Sequence, residues 1–205
     1  MRTQWMQIVL LSSLFAGVAT GAAPAFAQTS VAASFYGAFS GTTNGNGTQQ
    51  SPSNAAGGLV ELRHISNPLI GYEATYSFNR ANQSYMSVGG FTALLQPPTS
   101  VSADGHEITG DWVVSAKLAN LRPFALAGLG VLLNEPAGQQ ANTTSSTQAV
   151  YVYGAGLDWG LVPHIGLRLQ YRGNLYKAPD LTRLYTSTNA FTHTAEPMIG
   201  AYFNF

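Results

Sequence analysis

An all-β fold is predicted by three features of this sequence. Apolar and polar residues alternate with a period of two along eight segments, which is the pattern of β-strands that have one apolar face. The connections between these segments alternate strictly between long and short. Nine basic and nine acidic residues in 205 are far fewer than the roughly one-quarter charged content of soluble domains. Together these features predict an eight-stranded antiparallel up-and-down transmembrane β-barrel.

The first 27 residues have the pattern of a secretory signal peptide. A short basic start precedes an apolar run over residues 8–19, and Ala25-Phe-Ala27 forms a small-x-small site before a polar residue. A membrane anchor is the alternative, but the apolar run is shorter than the ~20 residues that a spanning helix needs. We therefore expect cleavage after Ala27 and one barrel domain over residues 28–205.

Four strands are predicted in the first half of this domain. Each alternates an apolar face with a more polar one, as Val31, Phe35 and Phe39 do in the first strand. A tight turn at Asn67-Pro68 joins the second and third strands into a hairpin. Two polar connections read as long loops, and the second has room for a short extra element. The predicted strands are residues 30–41, 57–65, 70–79 and 106–118, and the loops are residues 42–56 and 80–105.

The second half of the domain adds four strands. Residues 122–134 are apolar on both faces, but Gly128 and Gly130 favour a strand in which small residues make room inside a narrow barrel. The closing strand, residues 196–205, alternates strictly and ends on an aromatic residue; its apolar face carries Ile199, Ala201, Phe203 and Phe205. The other predicted strands are residues 148–159 and 164–172, and the long loops are residues 135–147 and 174–193.

Three fragments resemble small bacterial outer-membrane proteins of the OmpA-like, opacity-protein-like β-barrel superfamily. They are Arg122-Pro-Phe-Ala-Leu-Ala-Gly-Leu-Gly-Val131, Tyr153-Gly-Ala-Gly-Leu-Asp-Trp159 and His164-Ile-Gly-Leu-Arg-Leu-Gln-Tyr-Arg172. The resemblance implies a place among the lipids of the cell outer membrane and assembly by the cell's barrel-insertion machinery, which would recognise the closing strand. In such barrels the short turns are periplasmic and the long loops extracellular.

Strand parity places eight charged residues inside the predicted barrel and none on the lipid face, where Arg or Lys near the midplane would cost ~2–4 kcal/mol. They are Glu61, Arg63, Glu73, Asp111, Lys117, Asp158, Arg168 and Arg172. Side chains just fill the interior of an eight-stranded barrel, so we expect these ions to neutralise one another. The network is either a packed polar plug or a gate that opens a narrow path for small solutes.

Aromatic residues near strand ends are predicted to form two interfacial girdles. Those expected near the extracellular interface are Phe39, Tyr76, Phe78 and Tyr151, and those near the periplasmic interface are Trp159, Phe203 and Phe205. The alternative is that these residues reflect only the β-propensity of aromatic side chains.

A catalytic or metal-binding role has little support in the sequence. His193, Thr194 and Glu196 resemble the His, Ser and Glu of lipid-A-trimming barrels, but the serine is absent. His64, His106 and His164 are scattered over strand ends, which favours interfacial side chains over metal ligands. No cysteine is present, which excludes disulfides, thiolate metal sites and a lipoprotein anchor. We expect no cofactor, and the balanced charge points to no nucleic-acid partner.

The sequence therefore predicts a non-enzymatic, monomeric outer-membrane barrel. Its four long loops would serve an envelope-structural or adhesin-like surface role toward an extracellular partner that the loops do not identify. A narrow small-solute channel is the alternative. A soluble periplasmic ligand-binding barrel or a lipid-modifying enzyme is disfavoured, the former because the charges lie where an apolar ligand would bind.

Overall fold

The computed structural model describes residues 28–89, 96–138 and 141–205. The predicted signal peptide, residues 1–27, lies outside the described residues. Within the described part, no helix is long and apolar enough to span a bilayer. The described residues form ten strands: β1 Gln28–Ser40, β2 Thr43–Gly45, β3 Thr48–Pro52, β4 Ala55–Ile65, β5 Ile70–Ser87, β6 Thr99–Ser115, β7 Leu121–Pro136, β8 Ser146–Val162, β9 Ile165–Lys177 and β10 Phe191–Asn204.

Eight of these strands close into one antiparallel barrel, as predicted. β1 pairs with β4 on one side and β10 on the other, and β5 pairs with β6, so that β1 and β4 to β10 form a ring. Following the register from Phe39 through each neighbouring strand in turn returns to β1 at Thr29, ten residues earlier. This stagger tilts the strands against the barrel axis, typically by about 35–45°.

Outward-facing side chains form an apolar belt around the barrel. Phe35 is 80% exposed and Trp112 is 67% exposed, and along each strand such residues alternate with buried inward-facing ones. The first outward charges beyond the belt, away from the short turns, are Arg80, Asp104, Glu135 and Lys177. Between the turns and these four residues, the described strands carry no outward Asp, Glu, Lys or Arg. The belt is therefore suited to lipid, and the four charges mark its upper edge.

Arg80 and Asp104 face each other across β5 and β6 at this edge. Arg80 donates two hydrogen bonds to the Asp104 carboxylate, at 2.5 and 2.8 Å. These bonds lower the pKa of the Asp104 carboxyl below its usual value. Both side chains are at the surface, so the pair indicates where water begins and contributes little to stability.

The strands continue beyond the belt, which corrects the predicted loop over residues 80–105. β5 runs on to Ser87 and β6 begins at Thr99, and the two stay paired as far as Tyr85 and Thr99. Outward positions such as Asn82 and Ser84 are small and polar because they face water, while inward Val101 is fully buried. Period-two alternation persists here with polar residues in place of lipid-facing ones.

A second correction concerns the predicted loop over residues 42–56, which contains the β2–β3 hairpin. Asn46 and Gly47 form its turn with φ values of 50° and 74°, the positive pair that a type I′ turn requires. β3 then pairs with the distal part of β5, from Thr48–Ser87 to Pro52–Gln83. Asn-Gly between short polar runs was the signal for this hairpin.

Residues 178–190, here called the cap, lie between β9 and β10 and cover the barrel at the end opposite the short turns. Leu181 is fully buried and packs with Tyr85 and Tyr185, whose rings lie 6.1 Å apart. Tyr85 donates to the Pro179 carbonyl at 2.8 Å, and Gln50 donates to the same oxygen at 3.0 Å. The predicted loop 174–193 is therefore a short, packed segment.

The crown, defined as the β2–β3 hairpin, β5 and β6 beyond Asn79 and Gly105, and the cap, is thus a folded extension of the barrel. Predicted loop 135–147 is likewise shortened, because β7 runs to Pro136 and β8 begins at Ser146. All the long connections among the described residues lie at the crown end.

Single cysteines test this placement, since the sequence contains none. A membrane-impermeant maleimide should label Ser84→Cys in the crown on intact cells, because that side chain lies beyond the belt. Ser66→Cys, in the β4–β5 turn, should react only after the outer membrane is permeabilised. Trp112→Cys, in the belt, should react only in detergent. Labelling of Ser66→Cys on intact cells, with Ser84→Cys protected, would show the opposite orientation.

Candidate functional site in the barrel interior

Seven of the eight charged residues predicted to lie inside the barrel are buried there. They are Glu61, Arg63, Glu73, Asp111, Asp158, Arg168 and Arg172, none more than 6% exposed. The prediction for Lys117 is wrong: β6 ends at Ser115, and Lys117 lies exposed in the following turn. The predicted strand, residues 106–118, extends three residues past the end of β6, and the turn frees the lysine to reach water.

The cluster nearer the short turns is built around Arg63 and Arg168. Arg168 on β9 forms a bidentate salt bridge with Asp158 on β8, with N···O distances of 2.6 and 2.7 Å. It also forms an ion pair with Glu61 on β4. Arg63 donates through Nε to Glu73 at 2.7 Å and lies 3.4 Å from Asp158. Each guanidinium therefore bridges carboxylates from different strands, across the interior as well as along the sheet.

Phe124 supports this cluster from the turn end. The Arg63 guanidinium carbon lies 4.0 Å from the Phe124 ring centroid, and that of Arg168 lies 5.3 Å away. Arg168 also lies 5.5 Å from the Tyr202 ring. Stacking on aromatic faces is favourable for a desolvated guanidinium and keeps its edge free for carboxylates.

The cluster nearer the crown is built around Arg172. Its guanidinium lies 3.3 Å from Asp111 and 3.4 Å from Glu107, and it donates to the Thr109 hydroxyl at 3.2 Å. Asn174 donates to the other Glu107 oxygen at 3.0 Å. Glu73, 3.9 Å from Arg172, links this cluster to the first one. The two clusters form one chain of charges along the barrel.

Glycine makes room for the network at one wall. A Cβ at Gly128 would collide with the Asp111 side chain, and one at Gly130 would collide with the backbone at Ile108 and Thr109. Both glycines lie on β7 opposite these residues. The spacing that favoured a strand here thus corresponds to close backbone approach inside the barrel.

Two inward carboxylates were missing from the predicted network. Glu107 and Glu196 are each 3% exposed and bring the buried carboxylates to six, against three buried guanidinium groups. Both follow the strand parity already read from the sequence: Glu107 shares a face with Asp111, and Glu196 shares one with Met198. The buried set carries a formal charge of −3, and Arg122, half-buried at the turn end, is the nearest further cation.

Two cavities flank the network. The larger, about 350 Å³, lies at the turn end and is lined by Arg63, Lys117, Arg122 and Asp158 among others. The smaller, about 30 Å³, lies between the Arg172 cluster and the cap. The ion network lies between them.

The predicted interfacial aromatics all point outward. Phe39, Tyr76, Phe78, Tyr151 and Trp159 are 38–55% exposed. Phe78 lies two residues before Arg80 at the upper edge of the belt, whereas Tyr76 lies deeper and bonds His106 at 2.8 Å. Trp159 lies near the opposite edge of the belt, on the side of the short turns, three residues before the end of β8. The outward residues Ile199, Ala201, Phe203 and Phe205 complete the belt along β10.

The residues of the hydrolase-like motif are separated by the strand. His193 faces outward and bonds the Tyr153 hydroxyl at 2.9 Å, whereas Thr194 and Glu196 are buried inside. A strand directs alternate residues to opposite faces, so His193 and Glu196 do not meet.

Removing one guanidinium should destabilise the barrel. Arg168→Met keeps much of the volume but leaves Glu61 and Asp158 buried without that partner, which typically costs about 3–5 kcal/mol. Urea unfolding in lipid vesicles, followed by tryptophan fluorescence, measures the change. Lys117→Met, which also replaces a cation by methionine but at an exposed site, should unfold like the wild type. Equal midpoints for all three proteins would show that the network does not stabilise the fold.

Solved structures similar to this one are bacterial outer-membrane barrels. The outer membrane protein OprG from Pseudomonas aeruginosa matches with a TM-score of 0.59 at 10% identity, over 88% of this chain and 96% of OprG. Neisserial surface protein A matches with a TM-score of 0.52 at 14% identity, over 87% and 97%. Ail, the attachment invasion locus protein of Yersinia pestis, matches with a TM-score of 0.50 at 15% identity, over 88% and 99%. At these identities the likeness shows the fold.

A comparison with curated protein sequences found no match. The family model of the outer membrane protein beta-barrel domain matches residues 13–196, which is most of the chain. This match confirms the resemblance to bacterial outer-membrane β-barrel proteins and the predicted location in the cell outer membrane. The chain belongs to the family of outer membrane protein β-barrel domains.

Proposed function

We propose that this protein is a closed, non-enzymatic outer-membrane barrel whose crown is a surface for contact with an extracellular or envelope partner. The observation that carries the proposal is the packing of the cap against the crown strands, with Leu181 fully buried and Tyr85 3% exposed. A preformed surface loses less conformational entropy on binding than flexible loops do. The crown thus has the rigidity that a recognition surface uses.

The exterior of the crown and of the adjoining upper edge of the belt is polar but electrically balanced. Arg80, Lys177 and Arg183 are offset by Asp104, Glu135 and Asp180. Asp180 is partly buried, which raises the pKa of its carboxyl. Ail has been crystallised with the heparin analogue sucrose octasulfate. The balanced charges here favour a neutral, hydrogen-bonding partner over such a polyanion.

Two exposed apolar side chains offer anchors at the tip of the crown. Val88 is 46% exposed and Leu184 is 45% exposed. Gln96 links the segments that carry them, because it donates to the Leu184 carbonyl and accepts from the hydroxyl of Ser87, the residue before Val88, at 3.2 Å. Apolar anchors surrounded by polar groups are typical of contact surfaces.

Assembly of this barrel is proposed to depend on the closing strand. Ile199, Ala201, Phe203 and Phe205 line one outward edge of β10, where the barrel-insertion machinery and the surrounding lipid would meet them.

A narrow channel is the second candidate function. The turn-end cavity of about 350 Å³ would be its inner vestibule, and rearrangement of the Arg63 and Arg168 pairs would open it further. This role requires both the network and the cap to move.

Planar-bilayer recording separates the two functions. We expect wild type and Arg168→Ala to show no conductance above that of lipid alone, because the remaining network and the cap still fill the path. A silent wild type with a conducting Arg168→Ala would identify the network as a gate. Steady wild-type conductance would favour the channel outright.

Contact through the crown can be tested on whole cells. Cells that express the barrel should be retained on at least one surface of a panel made of matrix proteins, neutral polysaccharide and the purified barrel itself. Retention should change little between low and high salt, because the crown charges cancel. The double substitution Val88→Ser, Leu184→Ser should reduce retention severalfold.

The matched control is Ser84→Ala, which also changes an exposed crown residue. It should be retained like the wild type. Wild-type cells that bind no better than cells without the barrel would contradict a contact function on this panel.

A further inference from the structure

The cavity between the Arg172 cluster and the cap is lined by oxygen-bearing side chains. Glu107 and Glu196 lie on its wall together with Asn79, Asn134, Asn174 and Thr194. Its volume of about 30 Å³ exceeds the roughly 10–15 Å³ that one water needs. The space therefore suits one or two small polar species and no larger solute.

Three side chains that line this cavity have a polar atom without a hydrogen-bond partner among the described residues. The atoms are Glu196 Oε2, Asn174 Oδ1 and Asn134 Nδ2. The three residues are 3%, 1% and 7% exposed, so bulk water does not solvate them. An amide can be turned to present either its oxygen or its nitrogen, so Asn134 can also supply an oxygen. Unpaired buried polar atoms are costly and point to a bound species.

Charge at this level of the barrel is also unbalanced. Arg172 forms ion pairs with Glu107, Asp111 and Glu73. Glu196 lies opposite Arg172 in the register of β9 and β10, yet none of the ion pairs within 4 Å among the described residues includes it. Glu196 therefore shares Arg172 with three carboxylates that lie closer to that guanidinium, and sharing one cation leaves a buried carboxylate poorly compensated. None of the residues that line the cavity is an Arg or a Lys.

We propose that this cavity binds a hard cation of calcium's size class, held by Glu107, Glu196, Asn174 and Asn134. Carboxylate and amide oxygens are the donors that such cations take, and Ca²⁺ accepts 6–8 of them at 2.3–2.6 Å in flexible geometry. Mg²⁺ keeps several of its waters, for which the cavity is too small. Water alone would satisfy the amides, but it would add no positive charge beside Glu196.

Calcium binding to the full mature barrel tests this site. The barrel is purified in detergent, stripped with a chelator and titrated with CaCl₂ by equilibrium binding, and its urea midpoint is compared in CaCl₂ and in choline chloride. We expect one ion per barrel and a higher midpoint with calcium. Glu196→Gln keeps the shape of the side chain and should weaken binding at least tenfold.

A matched control and a second variant keep the test decisive. Glu135→Gln makes the same substitution at an exposed position on the upper edge of the belt and should bind calcium like the wild type. Glu107→Gln should weaken binding as Glu196→Gln does, and it answers the question if the first variant fails to fold. Heat-modifiable gel mobility verifies folding of each protein.

Two results would overturn the proposal. The first is the absence of saturable binding at millimolar calcium, or equal binding by wild type and Glu196→Gln. The second is a wild type whose urea midpoint does not change with calcium, together with a Glu196→Gln variant that is more stable than the wild type. In that case a proton neutralises the buried carboxyl groups of Glu107 and Glu196.

Discussion

Closure of eight strands into one barrel is the constraint on which the rest of this structure depends. Once β1 pairs with β10, every second side chain enters a space whose width is fixed by strand number and stagger. A charge there has to be neutralised by other inward side chains, because solvation is lost and an unpaired charge is costly. Arg63, Arg168 and Arg172 meet this demand by bridging carboxylates on different strands.

The chemistry of arginine explains which cations are inside. Among the described residues the three fully buried cations are arginines, whereas the two lysines of the sequence, Lys117 and Lys177, are exposed. A guanidinium presents five donors in a plane, so one side chain can serve two or three carboxylates and still stack on an aromatic ring such as Phe124. An ammonium group is more strongly hydrated and gains more by reaching water. The same property makes Lys117 a poor member of the network.

The sequence predicts the number of strands, their closure and their inward faces because the lipid-facing belt requires an apolar residue at every second position. Phe35 and Trp112 are examples of such apolar positions. The crown was predicted less well, because its outward positions face water and carry polar residues. The sequence of a crown strand therefore resembles that of a polar loop. The structure of the cap could not be predicted from its own short stretch of sequence. Its structure depends on contacts between Leu181 and Tyr85, 96 residues apart in the chain. Glu196 was overlooked as an interior charge because the apolar face of β10 dominated its pattern.

The overall neutrality of the sequence hides a separation of charge. Six of the nine acidic residues lie inside the barrel with three arginines, whereas the crown is balanced and the turn end carries Lys117 and Arg122. The low dielectric of the interior strengthens the field of this excess negative charge. On the crown side of the network this excess favours a cation over an anion. The turn-end cavity differs, because Arg63, Lys117 and Arg122 line it together with Asp158.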